Sequence, residues 1–273
     1  MMQSKPLKVA VIGHTGMGGK ALTEILLKRG HSVTGISIDA DKVPDTIGLT
    51  SITASVMDAL ELVAAIADHD VVVSAFSGGH EIDMRVYYRQ VEGTRRIINA
   101  FKQAKGKYLI CIGGAASLYV KPGLQMFDDP RFPTWYFGVA PAVHLRWLGD
   151  ITQEKFFYDA AERKESGVIQ PGESDSKLEK HVSSWTSVPL LEGCRVALDL
   201  FQADHSFNWS FLSPPFFYRP GEGTGNYELG IDYMMMKNGI PAGVSVPDLQ
   251  LAVADEVENQ ALIHKHWTVC AAE

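Results

Sequence analysis

Residues 9–22 read VAVIGHTGMGGKAL, an apolar run that passes directly into glycines at 13, 16 and 19 and then into an amphipathic stretch. A glycine turn at a strand-to-helix junction is compatible with few folds. Gly13 permits the tight turn, Gly16 lets backbone approach a pyrophosphate, Gly19 lets helix pack closely on strand, and the helix start offers free N–H donors. An isolated glycine pattern carries little information, but here the flanking strand and helix complete a βαβ unit. The stretch is therefore read as a dinucleotide cradle, with a tight, ligand-free turn as the alternative.

The next hundred residues repeat the same alternation. LKVAVIG, HSVTGISID, DVVVSAF and KYLICIGG read as strands, separated by the helical stretches GKALTEILLKRG, MDALELVAAIADH and MRVYYRQVEGTRRIINAFKQAK. Continuous apolar strands between helices predict an α/β, doubly wound (Rossmann) parallel sheet covered on both faces. The whole chain, 1–273, reads as one such domain. Residues 138–185 break the rhythm with a single expected helix, DITQEKFFYDAAERKES, and the polar GVIQPGESDSKLEK, and read as an inserted excursion or lid. Order resumes with helix PLLEGCRVALDLFQ, strand NWSFLSP, loop PGEGTGNYELG, helix VPDLQLAVADEVENQ and strand HWTVC. Ser245 before Val246-Pro247-Asp248 marks the last helix start. Residues 205–250 are expected to form a small C-terminal substrate-binding part.

Composition narrows the function classes. A net charge of -7 with scattered Lys and Arg leaves no footprint for nucleic acid. Three cysteines with no paired spacing fit a reducing, cytoplasmic compartment rather than a disulfide framework or thiolate metal site. No segment reads as a signal peptide and no apolar run approaches the ~20 residues of a membrane span. The partner expected is a small apolar molecule, and a homodimer is compatible with these properties. No metal is expected: His264 and His266 have no third ligand close in sequence, and no G-x-S-x-G elbow supports a hydrolase. His144, Arg146, Asp150 and His205 are polar residues within reach of a substrate. Trp135, Tyr136 and Phe137 with Phe216, Phe217 and Tyr218 would either wall an apolar pocket or pack as ordinary core.

The cofactor follows from the end of the second strand. Asp39 lies 20 residues past Gly19 in ISIDADK, where a carboxylate accepts from the adenosine ribose and repels a 2′-phosphate. Only Lys42 is cationic nearby, which favours NAD over NADP. The alternative is that Asp39 simply opens a turn with Asp41.

Taken in order, VIGHTGMGGKALTEILLKRGHSVTGI, HDVVVSAF, IGGAASL, FNWSFLSPP, PGEGTGNYELG and VPDLQLAVADEVE resemble the atypical short-chain dehydrogenase/reductase group that includes the NmrA-like and NAD(P)H-binding proteins. The resemblance implies a pyrophosphate lined by Gly13, Thr15, Gly16, Met17 and Gly19. It also implies an adenosine passing Ser74, Ala75 and Phe76, a nicotinamide approached by Gly113 and Gly114, and a substrate pocket edged by Pro214 and Pro215, with Tyr136 and Phe216 as its aromatic walls. Ile38 stands where members often carry an arginine, and Ser55 where they often carry an aspartate. The wider superfamily pairs a Tyr with a Lys four residues on to pass a proton to a carbonyl. No Tyr-x-x-x-Lys pair is read anywhere in this chain. The nearest substitute is SLYVK, in which Ser117, Tyr119 and Lys121 would share one face of an extended segment as a proton relay, unless they form a solvated loop. These features predict an NAD(P)-dependent oxidoreductase acting on an apolar carbonyl or enone. A non-redox isomerase or cyclase on the same fold, and a dinucleotide-sensing regulator, are the alternatives.

Overall fold

The computed structural model describes residues 5–185 and 187–272. Its centre is an eight-stranded sheet: β1 (Lys8–Ile12), β2 (Ser32–Ser37), β3 (Leu49–Thr53), β4 (Val71–Ser74), β5 (Leu109–Ile112), β6 (Trp209–Leu212), β7 (Tyr227–Ile231) and β8 (Lys265–Ala271). The spatial order is β7-β8-β6-β5-β4-β1-β2-β3. All neighbours are parallel except β7, which runs antiparallel to β8 at the edge. The strand order reverses between β1 and β4, and such a switch point opens a crevice at the carboxyl ends of the strands.

The apolar strands bury both faces because side chains alternate. Val9 and Val11 enter one core with Leu22, Leu26, Leu249, Val253 and Trp267, under α1 (Met17–Lys28) and the last helix. Ala10 and Ile12 enter the opposite core with Leu62, Ile97, Phe101, Leu198 and Phe201, under α2 (Ala59–Ile66), α3 (Met84–Gln103) and α8. Side-chain caps fix several helix starts: Asp58 accepts from the Leu60 and Glu61 N–H groups, and Asp83 from that of Arg85. Ser245 caps α9 (Val246–Asn259) by accepting from the Asp248 N–H, with Pro247 in the first turn, as its sequence predicts.

The region after β5 holds a third core. Here α4 (Thr134–Gly138), α5 (Ala142–Thr152), α6 (Lys155–Glu165) and α7 (Ser176–Val182) lead to α8 (Pro189–Gln202). Phe137, Leu145, Phe157, Leu178 and Phe216 pack together there. The single helix expected from Asp150 is two: Gln153 adopts a left-handed φ of 61° and ends α5 before α6 begins. The loop expected over 220–230 contributes the edge strand β7. No helix among the described residues is long and apolar enough to cross a membrane.

Candidate active site

The glycine turn is built by contacts that admit no side chain. Gly13 has φ +80°, and its N–H donates to the Ile36 carbonyl at 2.7 Å, tying the turn to β2. A Cβ on Gly13 would lie 2.7 Å from the Ala75 oxygen, and one on Gly19 would lie 2.1 Å from the Gly13 oxygen. Gly16 is the N-cap of α1 in extended conformation, with no side chain capping the helix and no acid in its first turn. The leading N–H groups of α1 therefore keep the positive end of the helix free for an anion. Thr15 completes the turn: its N–H reaches Ser37 Oγ at 3.3 Å and its hydroxyl donates to Asp39 Oδ1 at 2.8 Å. Asp39 is thus tied to the glycine turn, and it also opens the 3-10 turn Ala40–Lys42 that carries Asp41, as the alternative reading has it. Ser74 ends β4, and Ala75 donates its N–H to Ile12, so Ala75 and Phe76 flank the turn on its other side.

His14 occupies the interior of this turn, almost wholly buried. Its ring lies where a Cβ on Gly35 would fall, 2.5 Å away. Burial lowers its pKa below the usual imidazole value, with Asp39 pulling the other way. Sequence reasoning passed over the pairing of His14 with Gly35, although a bulky residue facing a strand glycine is the signal that carries it.

From the turn a cavity of about 290 Å³ extends along the carboxyl edge of the sheet. Gly16, Met17 and Gly18 line it, as do Gly113, Gly114 and the Pro214–Phe216 segment, and Phe137 and His144, which line it too, pack on the Phe216 ring. Gly113 is needed because its Cβ would enter the Phe211 ring at 2.3 Å, and Gly114 faces Cys194 Sγ at 3.0 Å. The Cys194 thiol is pushed up to about 12 by burial and stays protonated. Phe76, Pro214, Pro215 and Phe216 thus line one cavity with the glycine turn.

The SLYVK relay is not assembled. Ser117 closes a short 3-10 turn over Ala115–Ser117, which rotates it inward instead of extending the chain, so it shares no face with Tyr119 and Lys121. Its hydroxyl donates to the Gly114 carbonyl at 2.7 Å and pairs with Ser213 Oγ at 2.6 Å, which pairs in turn with His266 Nε2 at 2.8 Å. Tyr119 packs against the rings of Tyr233 and His266, and Lys121 is exposed. None of the three lines the cavity. Tyr136 is not a wall residue either: it is fully buried and its hydroxyl donates to Asp129 at 2.9 Å, while its neighbour Phe137 lines the cavity. One Tyr-x-x-x-Lys spacing, Tyr233 to Lys237 in YMMMK, escaped sequence reasoning. It does not recreate the missing pair: it spans no helix, neither residue lines the cavity, and Lys237 bonds Glu228 and the Ala271 carbonyl.

Polar residues line the cavity from several elements: Ser77, His80, Glu81, Gln90 and Thr152, and also His144, Tyr218 and Gln250. His144, on α5, is enclosed by the rings of Trp147, Phe216 and Phe217. Burial, with the Arg219 guanidinium adding to it, pushes its pKa down to about 3, so the ring is neutral. Tyr218 follows β6, and its hydroxyl accepts from Gln250 Nε2 at 3.3 Å. Burial raises that phenol to about 12. Gly18 makes room for both, since a Cβ there would stand 2.9 Å from Gln250 Nε2 and 3.1 Å from the Tyr218 hydroxyl.

The parallel sheet, its switch point and the glycine turn at the start of α1 define a Rossmann fold with a dinucleotide-type turn. Residues 13–138 match the family model for NAD(P)H-binding proteins. YwnB of Bacillus subtilis, an uncharacterised protein, is 28% identical over 269 residues, covering 96% of this chain and 98% of its own. The crystal structure of a candidate epimerase from Bacteroides thetaiotaomicron superposes with a TM-score of 0.72 at 23% identity, over 98% of this chain and 99% of that one. That of a candidate NADH-flavin reductase from Streptococcus pneumoniae gives 0.68 at 22%, over 97% and 100%. Residues 13–138 thus resemble NAD(P)H-binding proteins, and the chain as a whole shares the fold of these neighbours.

Proposed function

We propose that the chain is an NAD(P)H-dependent reductase of a flat, apolar carbonyl acceptor of the enone or quinone kind. The observation that carries this is continuity: the glycine turn and the aromatic-walled space line one cavity. A dinucleotide on the turn supplies the hydride when bound. The chain's own contribution is to place it, through the α1 N-terminus at the diphosphate, Thr15 and Asp39 at the adenosine ribose, and Gly113 and Gly114 at the cavity floor. Asp39 favours NAD(H). Phe76, Trp147 and Phe216 sandwich the acceptor and exclude water, and the α5-to-α8 segment acts as the cover.

The acid–base groups restrict the acceptor. Tyr218 is pushed up to about 12 rather than activated, no lysine among the described residues lines the cavity, and His80 and Glu81, which do, are both shifted down, away from proton donation at neutral pH. A simple ketone needs a proton delivered as its alkoxide forms, whereas an enone or quinone spreads the arriving charge through its own π-system. The site suits the second kind.

Fluorescence titration with NADH and NADPH, followed by absorbance at the reduced nicotinamide band with a panel of enones and quinones, tests the reading. Binding with turnover is expected. Substrate conversion without net loss of reduced nicotinamide supports an isomerase instead, and binding without conversion a sensor. Failure to bind either nucleotide overturns the proposal.

A further inference from the structure

Most polar groups along the cavity are already engaged or closed off. Thr152 Oγ1 donates to the Leu148 carbonyl at 2.6 Å, and Ser77 Oγ both donates to and accepts from the Gly79 backbone. His80 and Glu81 are exposed, and Glu81 pairs with Arg89. His144 Nδ1 and Gln250 Oε1 have no hydrogen-bond partner, but both atoms are sealed inside the protein. The Tyr218 hydroxyl is engaged by Gln250 beside Gly18.

Gln90 differs from all of these. It lines the cavity from α3 and is only 2% exposed. Its Oε1 accepts the Gly78 N–H at 2.8 Å, which also settles which end of the amide is oxygen. Its Nε2 has no hydrogen-bond partner among the described residues, yet it is not one of the sealed atoms. The open surface of a residue so enclosed is the cavity it lines, so the amide presents a fixed N–H donor there.

The position is built by close approach on two sides. A Cβ on Gly78 would stand 2.7 Å from the Gln90 backbone nitrogen, so glycine lets the loop after β4 lie against α3 and offer its N–H. A Cβ on Gly193 would stand 2.9 Å from Gln90 Cβ, and the next residue of α8, Cys194, has its Sγ 3.0 Å from where a Cβ on Gly114 would be. The amide therefore faces the part of the cavity that holds Gly113 and Gly114. A leucine would fill this place without burying an amide. A glutamine held by its oxygen, with its nitrogen left to the cavity, fits a ligand that brings an acceptor.

We propose that Gln90 Nε2 donates to the carbonyl oxygen of the substrate, in place of the tyrosine–lysine pair that the cavity lacks. This rests on the cavity being the substrate site and names the residue that receives the oxygen there. The negative charge brought by a hydride gathers on that oxygen, and an amide N–H fixed in advance holds it without reorganising. The amide surrenders no proton, so the proton that completes the product comes from water.

1-Indanone and indane test this. They share one flat frame and differ in the carbonyl oxygen. Kd is measured on the intact protein from the change in tryptophan fluorescence, Trp147 and Trp185 both lining the cavity, with no turnover needed. The wild-type ratio of the indane Kd to the indanone Kd should fall about tenfold in Gln90→Met, which keeps the length of the side chain and removes the donor. Comparing ratios cancels the different hydration of the two ligands, and a loosened cavity weakens both alike and leaves the ratio in place. If Q90M does not fold, Gln90→Glu, which keeps an acceptor for the Gly78 N–H, is read in its stead at pH 8 and should show the same fall. A ratio unchanged in the folded variant overturns the proposal, and so does a wild type that binds neither ligand. A loss of NADH affinity with the ratio unchanged also overturns it and assigns Gln90 to the dinucleotide. A ratio that falls in a protein that oxidises no NAD(P)H sustains this inference while the reductase reading fails.

Discussion

Acid should destabilise this protein through His144 above the range in which ordinary carboxylates titrate. The ring is pushed down to about 3 in the folded chain, against an ordinary value near 6.5 in the unfolded one. Between those values the unfolded state binds a proton that the folded state refuses. Stability is therefore complete above about pH 6.5 and is lost as pH falls, by up to about 1.4 kcal/mol per unit. From pH 8 to pH 5 the loss from this one group comes to about 2 kcal/mol. The salt-bridged carboxylates do not interfere: Glu92 and Asp204 are held at about 2 by their arginine and lysine partners, and even unfolded carboxylates titrate below this window. His14 and His80 are depressed with the same sign and the buried Glu256 carboxyl is raised, which acts in the opposite sense, so the wild-type slope alone does not isolate His144. His144→Phe does: it keeps the contacts with Trp147, Phe216 and Phe217 and removes the titrating group. Relative to wild type, the variant should gain about 2 kcal/mol of stability between pH 8 and pH 5. Urea midpoints at pH 8, 6.5 and 5, with m held constant, read this directly, and stability curves that run parallel across that range would refute the reasoning.

Three further outcomes follow from the turn. Gly19→Ala drives a methyl to 2.1 Å from the Gly13 carbonyl oxygen. It should cost about 1–3 kcal/mol of stability, read by thermal melting, and should raise the Kd for NADH by a far larger factor than a surface mutation does. Gly35→Ala places a methyl 2.5 Å from the His14 ring and should destabilise by a similar amount; His14→Ala in the same chain should restore most of the loss, and a purely additive pair would show that the two residues do not share that space. Asp39→Ala should weaken NADH binding about tenfold while strengthening NADPH, since Asp39 offers the ribose an acceptor and repels a 2′-phosphate. An unchanged NADH affinity would remove Asp39 from the ribose site.

How far the sequence could be read depends on how far apart the interacting residues lie. The cradle was legible because each of its demands is local: an apolar strand, glycines at 13, 16 and 19, a helix, and one carboxylate at the end of the next strand. Period-two reasoning failed at SLYVK, where the backbone after Gly113-Gly114 tightens into a 3-10 turn and takes Ser117 out of register with Tyr119. The 150–166 helix was split by the left-handed Gln153, a residue whose identity gives no warning. The polar lining of the cavity was illegible for a different reason: His144, Tyr218 and Gln250 lie on α5, on the segment after β6 and on α9, and no local pattern joins them. Even so, the chain carried one trace of it. In HTGMGGK the pattern of 13, 16 and 19 leaves Gly18 without a task, and a glycine inside a helix costs roughly 1 kcal/mol relative to alanine. Its task is the approach of Gln250 and Tyr218, whose polar atoms stand 2.9 and 3.1 Å from where its Cβ would be. The surplus glycine thus marks where the glycine turn meets the Tyr218–Gln250 pair at the cavity.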